Sequence, residues 1–328
     1  MTQRNLILIH RGPEYGADFS EIAQKVEALD PSIPTYVLDH KTRTRLTDSA
    51  WQRPTLVVSL FSEFALRIER GTIIRSHVID KIVQAETAIA AGLRVPAVQR
   101  FRFGMWLDPI MFGDHVVLKP GDPALTSKGS VQLFRRNRLA AMKPADFPSD
   151  HPIFRDKHGY LVQRFIDTGR YPTYNRVLTF LGMPIYMANG ALTEPRPDLN
   201  SSDSILESAR IAIQSGVPKR SWGVDDDVVD MANKVGAAFP EAPLLAIDII
   251  REQTSGRLYF LECNPGGNTW HFSSLQAGGL KIRMLLGEAH KYGRKKALAL
   301  GRRRMIDQTG AFDIVAQALV ERTRTSAT

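Results

Sequence analysis

One stretch constrains this chain more than any other: Leu244 to His271, LLAIDIIREQTSGRLYFLECNPGGNTWH. Two apolar runs, LLAIDIIR and RLYFLEC, flank the short polar turn Gln253 to Gly256 and predict an antiparallel hairpin. Side chains alternate faces along a strand, so Glu262 and Asn264 point the same way. Asp248 interrupts the first run, and a carboxylate buried there has to be paired or hold a metal. The register is open at this level. An odd loop sets Asp248 opposite Glu262; an even one sets it opposite Leu261 and separates the two carboxylates. In the odd register Asp248, Glu262 and Asn264 make one patch of hard oxygen ligands, which Mg²⁺ takes together with a nucleotide's phosphates. The competing reading is a hairpin whose acids face solvent. The irregular, glycine-rich Asn264-Pro265-Gly266-Gly267-Asn268 that follows favours the metal patch.

At 328 residues the chain is long enough for two or more structural units. No apolar run reaches the roughly 20 residues of a membrane span, and the apolar part of MTQRNLILIHRG is too short for a secretory signal. Cys263 is the single cysteine, so no internal disulfide forms. It falls on the strand face opposite Glu262 and Asn264 and is expected to be a buried core thiol. A cytoplasmic protein is expected. The net charge of +9 suits nucleic acid or an anionic ligand. Much of the excess is local, in Arg135-Arg136-Asn137-Arg138 and Lys281 to Arg304, so charge alone does not choose.

Ahead of the hairpin, Asn5–His10, Thr35–Leu38 and Thr55–Leu60 predict strands, and Phe19–Leu29 predicts a helix. This is an α/β start of about half a Rossmann-like unit. No GxGxxG follows the first strand; His10-Arg11-Gly12-Pro13 stands there, which argues against a dinucleotide site. Ser76–Ala91 predicts an amphipathic helix. Val116–Lys119 and Val131–Phe134 predict strands on either side of the loop Pro120–Ser130. Tyr160–Ile166 predicts another strand, and Arg176–Met187 a hairpin turning at Gly182-Met183-Pro184. Pro195–Ser221 is polar, with a disordered-looking Asp198–Asp203. Helices are expected at Asp226–Phe239, in the basic Ala277–Arg304 and at Ala311–Arg322.

Lys119 closes the apolar strand HVVLKP, where its charge needs a partner. Lys128-Gly129-Ser130 offers backbone N–H groups and a lysine to phosphates, although taken alone it reads better as a solvated hairpin loop. No Walker A sequence occurs. In order and spacing, the parts from about Ser76 to His271 resemble the ATP-grasp superfamily. Asp80-Lys81 opening a helix, then Gly92-Leu93-Arg94-Val95-Pro96, is similar to its usual entry. Val117-Leu118-Lys119-Pro120 resembles the strand whose lysine reaches the ATP phosphates. Ser127-Lys128-Gly129-Ser130 looks like the phosphate-covering loop, with fewer glycines than usual. Leu161 to Ile166 resembles the strand between lobes whose backbone meets the adenine, with Arg164 where a glutamate often stands. Asn175-Arg176-Val177-Leu178 looks like the strand of the phosphate-facing arginine. Asp248 with Glu262-Cys263-Asn264-Pro265 matches the metal-ligand pattern.

The resemblance implies an α/β (α+β) chain of ATP-grasp fold. A Rossmann-like pre-ATP-grasp unit would occupy 1–78, and two α+β lobes enclosing the nucleotide would occupy 79–280. Within these, a small ATP-binding lobe covers about 115–166 and a metal-bearing lobe about 167–280; a basic helical segment, 281–328, closes the chain. It implies ATP and Mg²⁺, with Mn²⁺ as the alternative metal. The implied reaction activates a carboxylate as an acyl phosphate and joins it to an amine or similar nucleophile. Lys81, Lys119, Lys128, Gly129, Ser130, Gln163, Arg164, Phe165 and Ile166 would bind the nucleotide. Asp248, Glu262 and Asn264 would hold the metal. Arg176 and Arg196 are the candidate catalytic groups. Arg196 either stabilises a tetrahedral intermediate, grips the substrate carboxylate, or is a loop residue in solvent. The partners implied are a small carboxylic acid and an amine, with no membrane, and a homodimer is compatible with the superfamily.

Two alternatives stand beside this reading: a small-molecule kinase of the same fold, and a nucleic-acid-associated protein. The second rests on Lys291, Arg294, Lys295, Lys296 and Arg302 to Arg304, which suit phosphate backbones or a solvated helix face. By position, His10-Arg11-Gly12 at the end of the first strand faces a substrate. Asn268 and His271 are further candidates for lining the substrate pocket, with His271 read as structural.

Overall fold

The computed structural model describes residues 3–42, 52–122, 131–209, 211, 218–221, 224–274 and 291–326. The chain opens with β1 (Asn5–His10), α1 (Pro13–Leu29), β2 (Thr35–Asp39), β3 (Thr55–Ser59) and β4 (Gly71–Arg75). The four strands form a parallel sheet in the order β2-β1-β3-β4. The middles of β1 (Leu6 to Ile9) and β3 (Leu56 to Val58) are apolar because both faces of such a sheet are covered. Leu6, Leu8, Leu56 and Val58 turn to one core, and Ile7, Ile9 and Val57 to another. α1 begins six residues before the predicted Phe19, at Pro13, whose fixed φ suits the first helical position. The sequence reading missed β4. Its opening Gly71 is required, since a Cβ there would stand 2.0 Å from Thr55 O.

α2 (Lys81–Ala90) starts later than the predicted Ser76 because Asp80 caps it, accepting from Ile82 N–H at 2.9 Å. A second sheet follows, β5 (Val98–Arg100), β6 (His115–Pro120), β7 (Gln132–Arg135) and β8 (Tyr160–Arg164), antiparallel in the order β5-β8-β6-β7. Val116, Leu118 and Val162 point into a core with Phe101, Leu107 and Phe134. The alternate residues Val117, Lys119 and Gln163 therefore face the other way, into a cleft.

The third sheet contains β9 (Thr173–Phe180), β10 (Met183–Leu192), β11 (Pro218–Ser221), β12 (Leu244–Arg251) and β13 (Leu258–Pro265), in the order β11-β10-β9-β12-β13. The β9–β10 hairpin turns at Leu181-Gly182, one residue before the expected turn. Both residues have positive φ, 47° and 85°, as tight two-residue hairpins demand. On one face of the sheet α4 (Asp226–Ala238), numbered after the short α3 (Asp203–Glu207), packs Val228, Ala232 and Val235 on Val177, Ile247 and Phe260. The opposite face is divided. Leu178, Phe180, Leu244 and Ala246 are buried against the N-terminal sheet, Trp270 and Phe312. Further along, Arg176, Asp248 and Ile250 look into the cleft.

The C-terminal helices α5 (Arg294–Thr309) and α6 (Ala311–Ser326) return to the N-terminal half. Phe312, Val315 and Leu319 join the core of β1 and β3. Arg302 donates to Oδ1 of the fully buried Asp18 (2.7 Å), whose Oδ2 accepts from Trp270 Nε1 (2.8 Å). Arg303 pairs with Glu21 at 3.0 Å. Two arginines of the basic run are thus paired within the chain, Arg302 partly buried and Arg303 at the surface. Among the described residues, no helix is long and apolar enough to cross a membrane.

The disordered-looking 198–203 segment proves to be built. Asp198 Oδ1 accepts from Asn200 N–H (2.8 Å), and α3 follows directly. The basic run 135–138 explains this order: Arg135 pairs with Asp203 and donates to Ser201 O (2.5 Å), and Arg138 meets Glu207 at 3.3 Å. His115 Nε2 contacts Leu199 O at 3.1 Å. Half-exposed pairs of this kind are worth about 0.2–1 kcal/mol each. Arg135→Ala is therefore expected to speed amide exchange across 198–207 by about fivefold or less, leaving global stability nearly unchanged. Exchange mass spectrometry reads this directly, and an unaltered pattern would remove the clamp.

Candidate active site

The hairpin solves its register in a way the sequence reading did not consider. Arg251 pairs with Leu258, leaving the six residues 252–257 as an even loop. By itself that loop would place Asp248 opposite Leu261. A β-bulge intervenes: Ile249 pairs with Phe260, but Asp248 pairs with Glu262, so Leu261 is the extra residue. The bulge lets Leu261 and Glu262 both line the cleft while Phe260 stays in the core.

Three cations converge on the two carboxylates. β9 lies beside β12 with Arg176 directly opposite Asp248. Arg176 Nε and Nη2 donate to Asp248 Oδ1 and Oδ2, each at 2.7 Å, a bidentate contact. Across the cleft, Lys119 Nζ stands 3.6 Å from Glu262 Oε2, and Lys81 Nζ from α2 stands 3.6 Å from the same oxygen. Lys81 also donates to Pro120 O at 3.2 Å. Gln84 holds α2 in place, its Oε1 accepting from Cys263 N–H (2.8 Å) and its Nε2 donating to Ile79 O (3.0 Å). Sequence reasoning missed Gln84; the available signal was a polar side chain on the helix face of Ala85 and Ala88, which is buried. Cys263 is buried as expected, and burial pushes its thiol pKa up.

The electrostatics follow from this crowding. Burial alone would raise the Glu262 carboxyl, but Lys119, Lys81 and Arg176 overcome it and bring the pKa down to about 2. Burial lowers the Lys119 pKa, which Glu262 partly restores. Burial raises the Asp248 carboxyl against the pull of Arg176. Burial also works to discharge Arg176, but Asp248 outweighs it and keeps the guanidinium charged.

The cleft has a volume of about 240 Å³, near the lower bound of small-molecule pockets. Gln163, Arg164, Phe165 and Ile166 all line it. Two N–H groups of that run are already used: Arg164 donates to Ala97 O (2.8 Å) and Phe165 to His115 O (3.1 Å). Arg196 also lines the cleft but is neither free nor in solvent. It donates from Nε and Nη2 to the Asp167 carboxylate at 3.2 and 2.6 Å, a partner the sequence reading did not name. Asn264 turns its amide nitrogen to Asp248 Oδ2 at 3.5 Å. His271 is buried edge-on to Tyr186, away from the cleft-lining set. Lys128, Gly129 and Ser130 lie outside the described residues.

No protein-family model matches the sequence, and no curated protein matches it. Among solved structures, the ATP-grasp ligase PsnB, complexed with a phosphomimetic variant of a minimal precursor, Mg and ADP, is similar along the whole length. Its TM-score is 0.50 at 12% identity, over 98% of this chain and 99% of that one. The chain has the ATP-grasp fold. D-cycloserine synthetase DcsG gives a TM-score of 0.47 at 16% identity, over 97% of this chain and 99% of that one. A D-alanine–D-alanine ligase from Bacillus anthracis gives 0.42 at 13% identity, over 94% and 99%.

The ATP-grasp cleft can be tested for fit to a metal from its own donors. Among the described residues there is no cluster of three His, Cys, Asp or Glu side chains that could hold a metal ion. The set at hand is two facing carboxylates and one amide, Asp248, Glu262 and Asn264. It has no soft or imidazole donor. One or two carboxylates completed by phosphate oxygens and water is what Mg²⁺ accepts. The three cations against two carboxylates leave the cleft positive, which suits a polyphosphate. The donor set fits.

Proposed function

We propose that this ATP-grasp chain is an ATP- and Mg²⁺-dependent ligase that activates a carboxylate as an acyl phosphate and joins it to an amine or similar nucleophile. The observation that carries the reading is the facing pair Asp248 and Glu262, set by a bulge inside a cleft that also receives Lys81, Lys119 and Arg176. Phosphoryl transfer asks a protein for positioning and charge neutralisation rather than covalent help. Lys119 and Lys81 supply positive charge for the phosphates. Arg176 fixes the orientation of Asp248 and adds a charge that cannot titrate away. Gln163 to Ile166 line the part of the cleft assigned to the base. Arg196, locked to Asp167, shapes the wall and keeps a guanidinium beside the reacting groups. Magnesium, when bound by Asp248, Glu262 and Asn264, supplies neutralisation between the phosphates and these residues. Mg and ADP in the similar ligase PsnB support a nucleotide and Mg²⁺ as the cofactors here.

The nucleic-acid alternative loses ground, because Arg302 and Arg303 neutralise Asp18 and Glu21. Phosphate release that needs both a carboxylic acid and an amine would mark the ligase; a phosphorylated alcohol as product would mark a kinase. The first test is thermal shift. A nucleotide at a hundred times its Kd stabilises by about 2.7 kcal/mol, so Mg²⁺-ATP is expected to raise the melting temperature by several degrees and ATP with EDTA to have little effect. A chain indifferent to every nucleotide would sink the reading.

A further inference from the structure

The glycine-rich exit of β13 runs into the carboxyl ends of the N-terminal parallel sheet, where α/β proteins gather ligands. Gly267 N–H donates to Leu60 O (2.7 Å), and Tyr15 Oη donates to Gly267 O (2.8 Å). Phe61 presses so closely on Gly267 that an added Cβ would stand 2.4 Å from its ring. Among the described residues, two polar groups along this seam are left over. Arg11 lies over the face of Phe61, 5.5 Å from the ring centre, and its Nε reaches His40 Nε2 at 3.5 Å. Among the described residues no carboxylate pairs with it. Asp39, the acid at the end of β2, accepts from the Lys41 N–H (2.9 Å) and lies 3.2 Å from His40 Nδ1 and 3.9 Å from His10 Nδ1. Across the seam Ser76 is 4% exposed, and among the described residues its Oγ has no hydrogen-bond partner. Its Cβ lies 3.8 Å from where a Cβ on Gly266 would be. A buried hydroxyl without a partner is costly unless something outside the fold satisfies it.

Neither group can serve the reacting atoms. Gly266 lies four residue steps beyond Glu262 along the strand exit, roughly 13 Å at about 3.3 Å per residue. We infer that this seam is a subsite for a second, distal carboxylate of the substrate, held by Arg11 on its aromatic seat with the Ser76 hydroxyl on the turn side. The inference rests on the ligase reading and narrows it: the substrate is bifunctional, reacting at one end in the cleft and anchored at the other by an oxyanion. Phe61 pre-positions the guanidinium, so little side-chain freedom is lost on binding.

The test uses the full chain with Mg²⁺ and a non-hydrolysable ATP analogue. Aliphatic dicarboxylic acids of graded length, each beside its matched monocarboxylic acid, are titrated by thermal shift and native mass spectrometry. Diacids within one range of lengths are expected to bind at least tenfold more tightly than their monoacid partners. Arg11→Ala is expected to erase that preference, Arg11→Lys to keep part of it, and Ser76→Ala to weaken it without lowering the melting temperature. Equal binding of mono- and diacids, a preference untouched by Arg11→Ala, or no acid binding to a wild type that responds to nucleotide would each overturn the subsite. The nucleotide response is read first and reports separately on the ligase reading. Arg11-dependent diacid binding without any nucleotide response would overturn that reading and keep the subsite.

Discussion

Replacing Glu262 by glutamine is expected to abolish the Mg²⁺-dependent nucleotide response and to cost the fold about 3 kcal/mol at pH 7, the lower end of what breaking a buried ion pair costs. The size of the loss comes from what stays behind. Lys119 and Lys81 both lie 3.6 Å from one Glu262 oxygen, and both are nearly buried. Without the carboxylate, two ammonium groups are left with only Asp248, already paired with Arg176, as a nearby counter-charge. The pH dependence has a definite sign. In the wild type the Glu262 pKa falls from 4.5 to about 2 on folding. Its contribution is therefore complete above pH 4.5 and is lost as the pH drops towards 2. In the variant the balance moves to Lys119. Burial already lowers the Lys119 pKa below 10.5, and Glu262 is what raises it again. A folded-state lysine with a depressed pKa binds fewer protons than the unfolded chain, so stability rises with pH through that window. The deficit of Glu262→Gln should thus shrink between neutral pH and about pH 10. Urea melts of both proteins across pH 6 to 10 check this; a constant deficit would mean that Lys119 does not depend on Glu262.

Lys119→Met is expected to lower kcat by about 10²–10³, the usual cost of removing one fixed group aimed at developing charge. Methionine keeps an apolar side chain of similar length at this buried position, and Glu262 retains Lys81. The fold is therefore expected to survive with little change in melting temperature, in contrast to Glu262→Gln. Steady-state phosphate release with the acid and amine pair identified by screening, alongside a thermal melt, separates the two effects. Full activity in Lys119→Met would remove this lysine from the phosphate-neutralising set. An inactive variant that has also unfolded would instead make Lys119 a structural counter-ion.

The sequence by itself determined the ingredients of the site and much of the sheet structure. Asp248 in an apolar run, Glu262 and Asn264 two residues apart, and Lys119 at the end of HVVLKP were legible because burial of charge is costly and strand alternation is local. The strands of the N-terminal sheet were legible for a similar reason, as continuous apolar runs, except the half-exposed β4. The register was not legible. Loop parity pointed to the wrong partner for Asp248, and one extra residue, Leu261, corrected it. A bulge depends on how Phe260, Leu261 and Glu262 distribute between core and cleft, which only packing sets. Nor could the sequence show that Arg196 is bound by Asp167, 29 residues away, or that Lys81 and Lys119 share one oxygen. The segment 198–203 looked disordered because its polar residues offer one another only short turns such as that of Asp198 and Asn200; Arg135 and His115 reach it from another sheet. Composition and period fixed which residues must be satisfied. Only the tertiary structure decided by whom, because those partners are far apart in the chain and meet through the packing of three sheets.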